Sequence, residues 1–174
     1  MAGFPKLTLV LGGANSGKST FAEGLALKSG LSKTYLATAQ AFDAEMRAKI
    51  YAHQKMRENA DWTTVEAPLD ISKPINAASG IILVDCLTMW LSNHILAEKP
   101  VDGLAQEFLS AQASTSAHII AVSNEVGLGI VPDNKMARTF RSAQGKLNQD
   151  IAQKADLVVN VIAGLPQPLK GTMP

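Results

Sequence analysis

Short runs of continuous apolar residues alternate along this chain with stretches in which apolar positions recur every three or four residues. The runs are Leu7 to Leu11, Thr34 to Thr38, Ile81 to Asp85, His118 to Ser123 and Asp156 to Ile162, rich in Val, Ile and Leu. A strand that is apolar on both sides is covered on both sides, which is the pattern of a parallel sheet rather than a half-solvated antiparallel one. The intervening stretches predict helices over Thr20 to Lys28, Asp43 to Arg57 (with Asp43 as N-cap), Leu87 to Ala97, Leu104 to Ser114 and Lys135 to Ala155. Strand and helix in alternation predict an α/β fold, a mostly parallel sheet with helices on both faces and ligands at the carboxyl ends of its strands. A single domain is expected over residues 1–164, and the proline-rich end from Leu165 to Pro174 reads as a poorly ordered tail.

Between the first strand and the first helix stands Gly12-Gly13-Ala14-Asn15-Ser16-Gly17-Lys18-Ser19, which matches G-x-x-x-x-G-K-[ST]. Each fixed position has a mechanical reason. Glycines let backbone N–H groups wrap an anion, and the helix that follows points its positive end at the phosphates. Lys18 reaches the β- and γ-phosphate oxygens, and the Ser19 hydroxyl is a ligand for Mg²⁺. The fold expected is therefore P-loop NTPase-like. A metal-side carboxylate should end another parallel strand, and Asp85, after Ile81-Ile82-Leu83-Val84, meets that requirement; capping the helix that begins at Leu87 is its competing role. Glu125, just past the strand ending at Ser123, is a weaker candidate for metal or substrate, and otherwise a solvated loop acid. Small-molecule kinases, nucleotidyltransferases, GTPase switches and motor ATPases all carry such a loop, so the loop alone does not choose a reaction.

Composition narrows the setting. The chain has 174 residues, 47% hydrophobic and 18% charged, enough for one continuous core without metal or disulfide staples. Its formal net charge of +1 creates no field that would draw the molecule onto nucleic acid or a membrane. No apolar run approaches the length of a membrane span, and neither nucleic acid nor membrane is expected as a partner. A cytoplasmic location is expected, consistent with a lone cysteine, Cys86, whose simplest role is that of a small buried hydrophobe.

Histidine placement adds chemistry. In the helix expected over Asp43 to Arg57, Phe42, Met46 and Ile50 form one stripe, and His53 continues it. Such a residue is either a core histidine or an inward-facing nucleophile. Arg57, one turn on, is placed to hold a phosphate beside the imidazole, which favours nucleophilic chemistry on phosphorus. His94, inside a helix, and His118, opening a strand, read as structural or surface residues.

Taken together, the residues resemble the bifunctional adenosylcobinamide kinase and adenosylcobinamide-phosphate guanylyltransferase family of cobalamin biosynthesis. The resemblance rests on the phosphate loop, Tyr35-Leu36-Ala37-Thr38-Ala39-Gln40, Asp43-Ala44-Glu45-Met46 leading to His53, and Trp62-Thr63-Thr64-Val65-Glu66. It continues through Leu83-Val84-Asp85-Cys86-Leu87-Thr88, the specific segment Ser123 to Pro132, and Ala137-Arg138 to Leu147-Asn148-Gln149. It implies a kinase step in which ATP or GTP phosphorylates the aminopropanol hydroxyl of adenosylcobinamide, served by Lys18, Ser19, Asp85 and Mg²⁺. It implies a second step in which His53 takes GMP from GTP and passes it to adenosylcobinamide phosphate. Further nucleotide contacts are implied for Ala37, Thr38, Ala39, Gln54, Lys55, Met56, Arg57, Glu66 and Asp85, with Glu66 suited to accept guanine N–H groups, and the family's trimeric assembly implies a homotrimer. Two departures stand out: Asn15 occupies a position where relatives commonly have arginine, and Ala52 and Gln54 flank His53 where some relatives carry a second histidine. A monofunctional small-molecule kinase, with His53 merely packing, is the alternative enzyme. A GTP switch is a further alternative, although the chain lacks its guanine-reading N-K-x-D segment.

Overall fold

All five apolar runs become strands in the computed structural model, which describes residues 3–40 and 61–174. They are β1 (Leu7–Gly12), β2 (Lys33–Ala37), β4 (Ile81–Asp85), β5 (His118–Asn124) and β6 (Leu157–Ile162). Two strands that the apolar pattern does not announce complete the sheet, β3 (Trp62–Glu66) and β7 (Leu165–Lys170). The spatial order is β3-β2-β4-β5-β1-β6-β7, parallel throughout except for the antiparallel β6–β7 pair. Thus β5 lies between the strand that carries the phosphate loop and the strand that ends in Asp85.

Helices cover both faces. On one side α1 (Lys18–Lys28) buries Ala22, Leu25 and Ala26 against Val10, Leu83, Ile120, Val122 and Val159. On the other lie α2 (Ser72–Ala77), α3 (Leu87–Leu96), α4 (Leu104–Ser114) and α5 (Lys135–Lys154), over a core that includes Trp90, Phe108, Leu9, Ile82 and Ile119. Spacing explains which faces turn inward: Leu87, Trp90 and Leu91 in α3, and Leu104, Phe108 and Ala111 in α4. Each fully buried large aliphatic contributes about 1.5–3 kcal/mol. The indole of Trp90 donates to the Leu69 carbonyl at 2.7 Å, so its burial leaves no orphan donor.

In α5 the inward stripe is Gln144, Leu147, Asn148 and Ile151, so half of it is polar. Asn134 caps the helix, its side chain accepting the Ala137 N–H at 2.8 Å.

The last residues correct the expectation of a poorly ordered tail. Leu165–Lys170 is an edge strand paired with β6 through a two-residue turn, Ala163-Gly164, in which both residues have positive φ. Pro166 and Pro168 are two apart and so share one side of the strand; an edge has room for residues without an N–H on the side facing away from its neighbour. The helix expected over Asp43 to Arg57 lies outside the described residues.

Candidate nucleotide-binding site

The loop after β1 is shaped by backbone groups. Asn15 and Gly17 have positive φ (53° and 90°), and asparagine enters that left-handed region more readily than most residues. Here the residue that departs from the commoner arginine suits the turn it occupies. The Ser16 N–H donates to Gly13 O at 3.3 Å, and the Ser16 carbonyl accepts the Gly164 N–H at 2.8 Å. A Cβ on Gly12 would press on Ser16 Oγ and stand 2.6 Å from the Val161 carbonyl; one on Gly17 would stand 3.1 Å from Gly164 Cα. Both glycines are therefore needed for close approach. The α1 N-terminus has no side-chain cap and no acidic residue in its first turn, so its positive end is left for an anion.

Lys18 folds back over the loop, its Nζ donating to Gly13 O at 2.9 Å. Burial holds its pKa below the usual lysine value, opposed by the nearby Cys86 and Asp85. Asp85 ends a strand separated from β1 only by β5, on the same carboxyl edge of the sheet. Ser19 occupies the second position of α1.

Around Asp85 side chains take over. The Tyr35 hydroxyl donates to Asp85 Oδ2 at 3.0 Å, and Tyr35 is itself buried edge-on against Trp62. Thr38 clasps the residue after Asp85: its Oγ1 donates to the Cys86 carbonyl at 2.7 Å and accepts the Cys86 N–H at 2.8 Å. The Thr38 N–H donates to Asp85 O, and the Thr38 carbonyl accepts from Asn93 Nδ2 at 2.7 Å. Every polar group of Thr38 thus has a partner within the protein. Cys86, not Asp85, caps α3, its Sγ accepting the Met89 N–H at 3.4 Å. Cys86 is half-buried, and burial together with the adjacent Asp85 pushes its thiol up to about 11, so it stays neutral at ordinary pH.

Glu66 ends β3 in register with Ala37, which is in register with Asp85. The three positions form one row across the carboxyl edge of the sheet. Glu66 is exposed and borders a cavity of about 650 Å³ between β3 and α2 that no phosphate-loop residue lines. His53, Gln54, Lys55, Met56 and Arg57 lie outside the described residues. Glu125 is close to the loop, its N–H donating to Gly12 O at 3.0 Å, but its carboxylate accepts the Gly127 and Leu128 N–H groups at 2.6 and 3.1 Å. Its present task is therefore to shape the segment that follows. His94 and His118 are structural, as expected, each with Nδ1 against a backbone carbonyl (Trp90 at 2.9 Å, Pro5 at 3.0 Å).

A polar layer under this edge escaped sequence reasoning. Ser123 Oγ donates to Asn148 Oδ1, Gln144 Nε2 donates to both, and Asn148 Nδ2 donates to the Asn124 carbonyl, all between 2.6 and 3.0 Å. This network fixes α5 to the end of β5 and so sets where Glu125 begins. The polar half of the α5 stripe was its only sequence signal.

Hard oxygen donors, a helix-borne hydroxyl at Ser19 and a carboxylate at Asp85, suit Mg²⁺, which commonly takes one or two protein oxygens and leaves the rest of its shell to phosphates and water. Among the described residues no group of three or more His, Cys, Asp or Glu side chains is placed to hold a metal by itself.

Fold and loop together define a P-loop NTPase-like nucleotide-binding domain. Structural neighbours share that fold: an ATPase from the type III secretion system of pathogenic bacteria (TM-score 0.54, 10% identity, covering 94% of this chain and 56% of that one). A KaiC-like protein from Pyrococcus horikoshii also matches (TM-score 0.50, 13% identity, 89% and 71% covered). Residues 8–169 match the family model described as cobinamide kinase / cobinamide phosphate guanyltransferase, and the chain belongs to that family. Relatives include the bifunctional adenosylcobalamin biosynthesis proteins CobP of Pseudomonas aeruginosa (45% identical, covering 94% of this chain and 96% of that one) and CobU of Salmonella typhimurium (35% identical, 94% and 99%). CobU of Escherichia coli is 33% identical with the same coverage. No described helix is long and apolar enough to cross a membrane.

Proposed function

We propose that this chain phosphorylates adenosylcobinamide with ATP or GTP and then transfers GMP from GTP to the product. The observation that carries the kinase half is the phosphate loop with Lys18 folded over it and Asp85 ending a strand on the same carboxyl edge of the sheet, in a protein of this family. The acceptor hydroxyl attacks the γ-phosphorus, the bond to the β-bridging oxygen breaks, and the hydroxyl proton is released with the nucleoside diphosphate. Loop N–H groups and Lys18 hold the phosphates in line and meet the charge that spreads over the transferred group. Ser19 and Asp85 would hold Mg²⁺, which supplies further neutralisation of phosphate charge. Tyr35 keeps the Asp85 carboxylate in one orientation.

In the second half His53 is the nucleophile. Its imidazole nitrogen bonds to the α-phosphorus of GTP and pyrophosphate leaves; a phosphate oxygen of adenosylcobinamide phosphate then displaces the histidine, giving adenosylcobinamide-GDP. His53 on its apolar stripe, Arg57 one turn away and family membership support this reading. Ala37, Thr38, Ala39, Glu66 and residues 54–57 belong to the same nucleotide site, with Glu66 accepting guanine N–H groups, and a homotrimer is the assembly in which it works.

Incubation with α-labelled GTP followed by denaturation tests the transferase. The wild type should retain acid-labile label and His53→Ala should retain none, with adenosylcobinamide phosphorylation preserved. A wild type that phosphorylates adenosylcobinamide yet takes no label is a monofunctional kinase.

A further inference from the structure

The segment 126–132 leaves the carboxyl end of β5 beside the phosphate loop and exposes three of its large apolar side chains: Leu128 at 91%, Ile130 at 97% and Val131 at 65%. Met136, on the first turn of α5, adds a fourth at 61%. A slack loop would turn such residues inward. This one is braced instead. The Glu125 carboxylate accepts the N–H groups of Gly127 and Leu128, Arg141 donates to the Gly127 carbonyl, and Arg138 donates to the carbonyls of Pro132 and Asp133 at 3.0 and 2.6 Å. Two arginines and a carboxylate are thus spent on holding apolar side chains in water, and pre-organisation of that kind lowers the ordering entropy lost when a ligand binds.

Position and size say what covers it. Glu125, the residue just before the segment, is bonded through its N–H to Gly12 O at 3.0 Å, so whatever rests on the loop stands next to the phosphoryl donor. Four such side chains make a patch on the order of a few hundred Å², short of the roughly 800 Å² per partner of a stable subunit interface. That is the scale of a large amphipathic small molecule.

We infer that Leu128, Ile130 and Val131 form a rigid seat for the apolar face of the macrocyclic acceptor, positioning its hydroxyl arm at the phosphate loop. The inference rests on the kinase reading above. Polar substituents on the rim of the ring would remain in water around the patch, with Lys135 at the exposed start of α5 within the same stretch of chain.

Steady-state phosphorylation of adenosylcobinamide by wild type and by Leu128→Ser/Ile130→Ser is the test. The double variant should raise KM for adenosylcobinamide at least about tenfold, leave the nucleotide Kd within about twofold and keep the mass seen by light scattering; Leu128→Met/Ile130→Met should recover most of the wild-type KM. Ile130→Lys provides a second, single-site reading at a position that packs on nothing. An unchanged acceptor KM overturns the inference, and so does a fall in mass, which would make the patch a contact between copies of this chain. A wild type that neither phosphorylates adenosylcobinamide nor retains it in equilibrium dialysis overturns the proposed function and this inference with it, whereas an active wild type with insensitive variants overturns the seat alone.

Discussion

Two adjoining parts of the site are built from different materials. The phosphate loop between β1 and α1 is made of backbone: close glycine approaches, left-handed turns and a helix N-terminus without a cap. The carboxyl ends of β2 and β4, where Asp85 stands, are made by side chains: Tyr35 on the carboxylate, Thr38 on both backbone groups of Cys86, Asn93 on the Thr38 carbonyl. A backbone site tolerates changes of side chain that add no bulk inward, which is how Asn15 fits in the loop. It does not tolerate a Cβ. A side-chain site reverses the rule, since there the loss of one hydroxyl leaves buried polar groups unmatched.

The largest expected effect comes from the side chain that serves both parts. Lys18→Ala should lower phosphorylation of adenosylcobinamide by about two to three orders of magnitude, measured at saturating nucleotide. The lysine also predicts a pH dependence. Burial depresses its pKa in the nucleotide-free protein, so the ammonium is more costly folded than unfolded, and the free fold gains stability as pH rises through the folded value. Triphosphate affinity runs the other way, because the phosphates need the ammonium; it should fall as pH rises through a value below 10.5, and Lys18→Ala should flatten that fall in calorimetric titrations.

Next come two alanines one residue apart. Gly12→Ala would drive a Cβ to 2.6 Å from the Val161 carbonyl, a backbone atom with no freedom to yield, and should destabilise the protein by about 1–3 kcal/mol in urea unfolding. Gly13→Ala meets nothing within 4 Å and should stay within about 0.5 kcal/mol. Equal effects from the two would show that the loop is not set by close backbone approach.

Smallest, and specific to the other half, is Thr38. Thr38→Val keeps the shape but strands the Cys86 N–H, for a loss of about 1–2 kcal/mol; Thr38→Ser should recover most of it. If valine matches wild type in thermal unfolding, the clasp contributes nothing to the Asp85 edge.

The same contrast explains what could be read from the chain. The loop was legible because its parts are consecutive and each spacing has one mechanical purpose; Asp85 followed from the buried run that it ends. Thr38, Asn93, Gln144, Asn148 and Gly164 were not, since their partners lie 21 to 55 residues away for most of these contacts, and nothing local marks the pairing. Glu125 was noticed for its place and left between a metal or substrate role and that of a loop acid; its carboxylate accepts two N–H groups of the loop that follows it, a partnership no spacing announces. Among strands, β3 and β7 were missed for one reason. Both are sheet edges, where residues such as Thr63, Thr64, Gln167 and Lys170 face water and the apolar run that betrays a central strand is absent. The short α2, with Pro74 inside it, offers too few residues for a period to emerge.

The bond from the Gly164 N–H to the Ser16 carbonyl joins residues that are made far apart in time. A growing chain acquires its glycine-lysine sequence almost at once, but the loop gains its last brace only when the β6–β7 turn has emerged. The cradle is therefore finished only once that turn has formed, and a chain cut short before it would display the nucleotide signature in its sequence without the brace behind it.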